Sequence, residues 1–270
     1  MKILTFINHK GGIGKTSLAR FVADYLVACG KRVLVVDLDE QGNMTACLRR
    51  GGRAQIAPFN AAALYVQPAS PPLAGSYVLI PSNWDALIGV ELEVPRRNDL
   101  ARMFQANLQR YANDFDICIV DTKSGYSLRL QIALVFSTHV ISPLPPVQES
   151  IDGLHWVLHG KFIGIENIKA ALNPNLVFLG IVPMMLEATR THKENLEKLA
   201  ESVGQRFVRT KEGAAVTFPK RSCVLEAQAS GELLWEMKKT AARDTWRLIE
   251  PTLETIATKL FPEGVTFNAR

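Results

Sequence analysis

Hydrophobic positions along this chain come in short unbroken runs, separated by longer stretches with apolar residues at helical spacing. Residues 2–7 form the first run and lead into a glycine-rich turn. From Lys15 to about Ala28, Leu18, Phe21, Val22, Tyr25 and Leu26 share one face of a predicted helix. Gly30 supplies its stop. The next run, RVLVVDLD from Arg32 to Asp39, is apolar without alternation, as a parallel strand buried on both faces must be. Similar runs predict strands at Tyr77–Ser82, Phe115–Thr122, Thr138–Pro146 and Leu176–Met185. Helical spacing predicts helices over roughly 96–112, 148–164, 190–203 and 239–260. Residues 50–76 are rich in Gly, Pro, Ala and Ser and read as a long loop with a short helix at one edge. Strands alternating with helices predict an α/β fold, with a mostly parallel sheet and helices on both faces. The first strand–helix–strand unit should cross over right-handed.

Composition narrows this picture only modestly. With 270 residues, 47% of them hydrophobic and 21% charged, the chain is balanced like a globular protein and is read as a single domain over residues 1–270. A net charge of +5 admits an anionic partner without identifying one. Cys29, Cys47, Cys118 and Cys223 form no C-x-x-C pair, so neither a zinc nor an iron–sulfur site is signalled; free, mostly buried thiols are expected. Met1 leads straight into an apolar strand with no signal sequence, and no apolar run approaches the ~20 residues of a membrane span. A cytoplasmic protein without a membrane partner is expected.

The chemistry concentrates in KGGIGKTS, Lys10 to Ser17. The window from His9 to Thr16 fits G-x-x-x-x-G-K-[ST] except that His9 replaces the first glycine. Gly11, Gly12 and Gly14 let backbone N–H groups turn toward phosphate oxygens, and the helix from Lys15 adds its positive end. Lys15 can reach the β- and γ-phosphates, and the Thr16 hydroxyl can ligate magnesium. The context of a strand before and a helix after predicts a P-loop NTPase domain. Asp37 and Asp39, two apart on an extended chain, share one face; one can serve magnesium while the other orients water. Asp121 ends an apolar strand, as a magnesium-holding aspartate should. His155 and His159 sit at helical spacing with no acidic third ligand and read as an ordinary helix face. Lys10 has no role in an ordinary loop of this kind.

KGGIGKTS resembles the deviant Walker A motif of the ParA/Soj/MinD ATPases, and the likeness extends over most of residues 1–250. VLVVDLDEQGNMT is similar to that family's V-D-L-D-P-Q-G-N motif, residues 79–93 to its iPSn-x-dLag-x-E stretch, FDICIVDT to its Walker B strand, and the segment from Ile181 to its late strand and following helix. With the loop beginning at residue 10, the chain looks like the ParA branch lacking an N-terminal helix-turn-helix domain. The resemblance implies that Lys10, Gly11, Gly12, Ile13, Gly14, Lys15, Thr16 and Ser17 bind ATP, with Lys10 reaching the phosphates of the other subunit in a homodimer. It implies that Asp39 positions the hydrolytic water and that Thr16, Asp37 and Asp121 serve magnesium. Relatives continue D-T-P-P where this chain has Asp121-Thr122-Lys123-Ser124; without the prolines this loop is expected to be more mobile, and Lys123 to contact phosphate, partner or DNA, or simply to be exposed.

The resemblance further implies weak ATP hydrolysis, nonspecific DNA binding by the ATP dimer, location on the nucleoid, and a ParB-like or cargo adaptor that stimulates turnover. DNA, plasmid or chromosome, is the expected cargo, with a protein cargo such as a carboxysome or chemoreceptor cluster as the alternative. Candidate DNA contacts are Arg190, Lys193, Lys220, Arg221, Lys238 and Lys239, with Arg243 and Arg247 beyond them; FPKRS, residues 218–222, is the best placed. Arg190 has an alternative place near the base. A membrane-binding MinD-like role would need a basic amphipathic C-terminal helix, which TLETIATKLFPEGVTFNAR lacks. A nitrogenase-type reductase would need two exposed cysteines, and Cys118 falls inside a predicted strand.

Overall fold

In the computed structural model, which describes residues 1–69 and 75–268, all ladders between the named strands are parallel. The strands are β1 (Lys2–Phe6), β2 (Val33–Asp37), β3 (Gln55–Ile56), β4 (Tyr77–Ile80), β5 (Ile117–Asp121), β6 (His139–Leu144), β7 (Val177–Leu186) and β8 (Phe218–Pro219). They form one sheet in the order β3-β4-β2-β5-β1-β6-β7-β8. The helices are α1 (Lys15–Ala28), α2 (Asn43–Gly51), α3 (Ala63–Val66), α4 (Trp84–Leu92), α5 (Arg97–Arg110), α6 (Leu128–Phe136), α7 (Gln148–His159), α8 (Ile165–Ala171), α9 (Arg190–Val203), α10 (Ser222–Ser230) and α11 (Thr240–Leu260).

The unbroken apolar runs are explained by what covers the sheet. In β2, Val33 and Val35 enter a core with α1 and α11, while Leu34 and Val36 enter the opposite core with α4, α5 and α6. In β5, Ile117 and Ile119 face the first core, and Cys118 and Val120 the second. A third core gathers around β6, α7, α8 and α9. Each fully buried aliphatic side chain contributes about 1.5–3 kcal/mol, so alternation would forfeit one face.

Helix α1 has the bounds predicted for it, and Gly30 turns the chain out at φ 76°. The helix predicted over 148–164 instead ends at His159. There the chain folds tightly back: a Cβ on Gly160 would lie 2.4 Å from the Trp156 carbonyl oxygen, and one on Gly164 2.3 Å from the Gly160 nitrogen. The stretch read as a loop over 50–76 holds the end of α2, the edge strand β3 and the short α3; residues 70–74 of it lie outside the described residues.

Helix α1 also buries a charge pair. Arg20 and Asp24 are 2.8 Å apart, both essentially inaccessible. Arg20 donates to the carbonyls of Ala227 and Gly231 at 2.8 and 3.1 Å and to that of Glu232. Tyr77 donates to Asp24 at 2.9 Å. The helix behind the phosphate loop is thereby fixed to β4 and to the end of α10. Beyond α11 the chain folds back, and Phe267 stacks on Tyr25 at 4.9 Å.

Candidate functional site

Parallel strands deliver their following loops to one edge, and β2, β5 and β1 lie side by side. That adjacency brings together the loop after β1, Asp37 and Asp39 at the end of β2, and Asp121 at the end of β5. Asp37 and Asp121 are register partners across the ladder.

The loop from Asn8 to Gly14 is pinned at its start. Asn8 donates to the Pro143 carbonyl at 2.8 Å and accepts from the Lys10 amide at 3.0 Å. Gly12 and Gly14 take φ of 69° and 90°, which favours glycine, and Gly14 caps α1. His9, at the place of the missing first glycine, lies 6.2 Å from the Trp156 ring, and burial holds its pKa below the usual range. Lys15 is buried; its ammonium donates to Ser124 Oγ at 2.7 Å and to the Lys10 carbonyl at 3.4 Å. Burial pushes the Lys15 pKa down, opposed by Asp121 and Asp39.

Lys10 is oriented differently. Its side chain is 45% exposed and its ammonium sits 3.6 Å from Glu149 in the first turn of α7. Two lysines of one loop thus occupy two environments, one inside the site and one at its rim.

Asp37 is fully buried. One carboxylate oxygen accepts from both the amide and the hydroxyl of Thr45, at 2.8 and 2.7 Å, and the other from the Asp39 amide at 3.2 Å. Burial dominates over these bonds and raises its pKa to about 6. Asp39 accepts from the Gln41 amide at 3.0 Å, and its carbonyl accepts from Ser82 Oγ at 2.6 Å. Asp121 is the outlier. Both of its oxygens are buried, and among the described residues neither receives a hydrogen bond of ordinary geometry, although the Thr16 hydroxyl is close enough to offset part of the shift. Burial, then the Asp37 charge, drives its pKa well above the carboxylate range. A buried carboxylate left without hydrogen bonds is costly unless a cation joins it.

Magnesium fits this donor set. Such ions are held in ATPase sites by one or two carboxylates together with phosphate oxygens and water. Among the described residues no group of three or more His, Cys, Asp and Glu could hold a metal unaided. Asp121 and Thr16 would hold the ion, with Asp37 behind them, and the ion would supply charge neutralisation at the phosphates.

Ser17, expected among the nucleotide ligands, donates its hydroxyl to Gln228 of α10 at 2.6 Å. Lys123 and Ser124 are tethered. Lys123 pairs with Glu40 at 2.7 Å, with its side chain 29% exposed, so it is not simply exposed, and Ser124 bonds Lys15. Neither Glu40 nor Ser124 was marked by a motif; the two absent prolines at their positions were the available signal.

The basic candidates form two groups. Lys220 pairs with Glu187 at 2.8 Å, and Glu187 also faces His192 of α9, which brings Lys220 and Arg221 toward Arg190 and Lys193. Arg190 pairs with Glu194 at 2.7 Å and is almost fully exposed. Lys239 pairs with Glu226 of α10 at 2.6 Å and, with Lys238, sits apart from the first group. All six are exposed.

Among the described residues no helix is long and apolar enough to cross a membrane. A family model described as an AAA domain matches residues 1–178. The chain is 30% identical over 269 residues to Protein IncC of Escherichia coli, covering 96% of this chain and 70% of that protein. It is 28% identical over 242 residues to the chromosome-partitioning ATPase Soj of Thermus thermophilus, covering 88% and 89%. Among solved structures, an ATP complex of a McdA variant from Cyanothece matches with a TM-score of 0.75 at 21% identity, covering 95% of this chain and 96% of that one, a likeness of fold. With its two-lysine phosphate loop set beside Asp37, Asp39 and Asp121, the chain belongs to the ParA/MinD family of P-loop ATPases.

Proposed function

We propose that this protein is a magnesium-dependent ATPase that dimerises around ATP, binds DNA without sequence preference, and partitions plasmid or chromosomal DNA with a partner that stimulates hydrolysis. The observation that carries the reading is the division between the lysines: Lys15 is buried in its own site, whereas Lys10 is half-exposed at the rim and, among the described residues, pairs with the surface acid Glu149. A rim lysine can serve a phosphate held by a second copy. Lys15 and the loop amides would hold the β- and γ-phosphates, Asp39 would orient the attacking water, and Asp121 with Thr16 would carry magnesium. The base would lie in the slot lined by Gly14, Met184, Met185, Phe218 and Pro219. Similarity to IncC and to a chromosome-partitioning ATPase supports the cellular role.

ATP stabilises such a dimer by mass action, and hydrolysis releases it. A dimer doubles the basic surface around Lys220 and Arg221, so DNA affinity should fall steeply with salt. The test is DNA retention with ATP, ADP or no nucleotide. Retention only with ATP, lost in Lys220→Glu with Arg221→Glu while the ATP dimer persists, is expected. Equal retention in all three nucleotide states would refute the coupling.

A further inference from the structure

The loop after β5 and the loop after β2 are joined by a charge network. Lys123 Nζ lies 2.7 Å from one oxygen of Glu40, and Arg129 lies 2.8 Å from the other. Arg129 also meets Glu91 of α4 at 2.9 Å and the Leu38 carbonyl at 3.0 Å. The side chains of Arg129 and Glu40 are 0% and 9% exposed, so this is a built cluster of two cations and two acids. Glu40 directly follows Asp39, and Lys123 follows Asp121 by two residues. The next residue, Ser124, points into the phosphate loop: its hydroxyl accepts from Lys15 at 2.7 Å and donates to the Lys10 carbonyl at 3.2 Å. A Cβ on Gly11 would stand 3.5 Å from that hydroxyl.

We propose that the Lys123–Glu40 ion pair is a clasp that fixes the loop after β5 and holds the Ser124 hydroxyl against Lys15, so that Ser124 is a positioning residue for the phosphate-binding lysine. An ammonium carries three donors. Ser124 and the Lys10 carbonyl take two of them and leave the third for a phosphate oxygen. Where two prolines would stiffen the backbone, this chain uses an ion pair for the same end and gains a hydroxyl that proline does not have. Both replacements, Glu40 and Lys123, fall where the family motifs quoted above carry proline, and they meet each other in space.

The inference rests on the reading of this loop as a nucleotide site. Lys123→Met is a clean perturbation, because Glu40 keeps Arg129 and no buried acid is left unpaired. In the nucleotide-free protein, backbone hydrogen exchange over residues 122–126 should accelerate about tenfold in Lys123→Met and recover in Lys123→Arg. Titration with a fluorescent ATP analogue and magnesium should show Lys123→Met and Ser124→Ala each weakening binding about fivefold. The double variant should be no weaker than either single one, because both changes break the same link. Unchanged exchange in Lys123→Met overturns the clasp. Accelerated exchange with unchanged affinity, or losses that multiply in the double variant, overturns the positioning role. A wild-type protein that binds no nucleotide refutes the reading of the site and the positioning role with it, while the exchange arm still decides the clasp.

Discussion

For Lys10 to reach into a second subunit, as proposed, it would have to leave Glu149, and the strength of that contact would set how far its removal promotes dimerisation. The pair is 3.6 Å apart, with side chains 45% and 73% exposed. The Glu149 carboxyl is held below its usual range first by its own backbone amide and only then by Lys10. Ion pairs this exposed are screened by water and weak, so freeing one Lys10 favours the dimer by about 1.4-fold to fivefold. A symmetric dimer frees two, which gives about two- to twenty-five-fold for Glu149→Gln. Sedimentation velocity with a non-hydrolysable ATP analogue measures this directly. The gain should shrink as salt is raised through the physiological range, because screening weakens the wild-type contact in the same way. A Glu149→Gln protein that dimerises less readily than wild type would refute the reasoning, since Glu149 would then belong to the interface rather than restrain Lys10.

Asp39→Ala should still form the ATP dimer but hydrolyse ATP poorly; unchanged turnover in a steady-state phosphate-release assay contradicts its assignment to the attacking water. Arg20→Met strands the buried Asp24 and three carbonyls, so urea denaturation should show a loss of about 3–5 kcal/mol, and a loss under 1 kcal/mol speaks against an ionic pair there. Asp37 has a folded-state pKa of about 6 against an ordinary 3.8, so the folded protein keeps a proton that the unfolded chain gives up. The part of nucleotide-free stability that comes from Asp37 should therefore fall as pH rises from about 4 to 6, by about 3 kcal/mol, and that part levels off above about pH 6. Asp121 is shifted further in the same direction and extends the fall to higher pH. Urea midpoints at pH 4.5 and 7 should differ less in Asp37→Asn; an equal difference contradicts the shift.

The central strands and α1 were legible because parallel strands buried on both faces leave unbroken apolar runs, and because a glycine loop and Gly30 bracket one clear helical period. Helices such as α4 and α6 are not legible in the sequence, since nine residues with apolar positions on several sides carry little period. The break after His159 depends on contacts among Trp156, Gly160 and Gly164 rather than on local preference. The phosphate loop and its three aspartates were legible as residues. Their differences were not: Asp37 engaged by Thr45, Asp121 left without ordinary hydrogen bonds, and Ser17 turned to Gln228 are set by neighbours far along the chain. The same holds for Lys123, whose partner Glu40 is 83 residues away. Arg20 and Asp24, four apart on α1, carry no motif, and only the packing of α10 and β4 shows them to be a buried pair.

Dimerisation of Lys10→Ala decides the central claim. Measured by light scattering on a sizing column with magnesium and a non-hydrolysable ATP analogue, alongside nucleotide titration, the variant should bind nucleotide yet remain a monomer where wild type is a dimer. A Lys10→Ala protein that dimerises with ATP and turns it over like wild type would contradict the cross-subunit role.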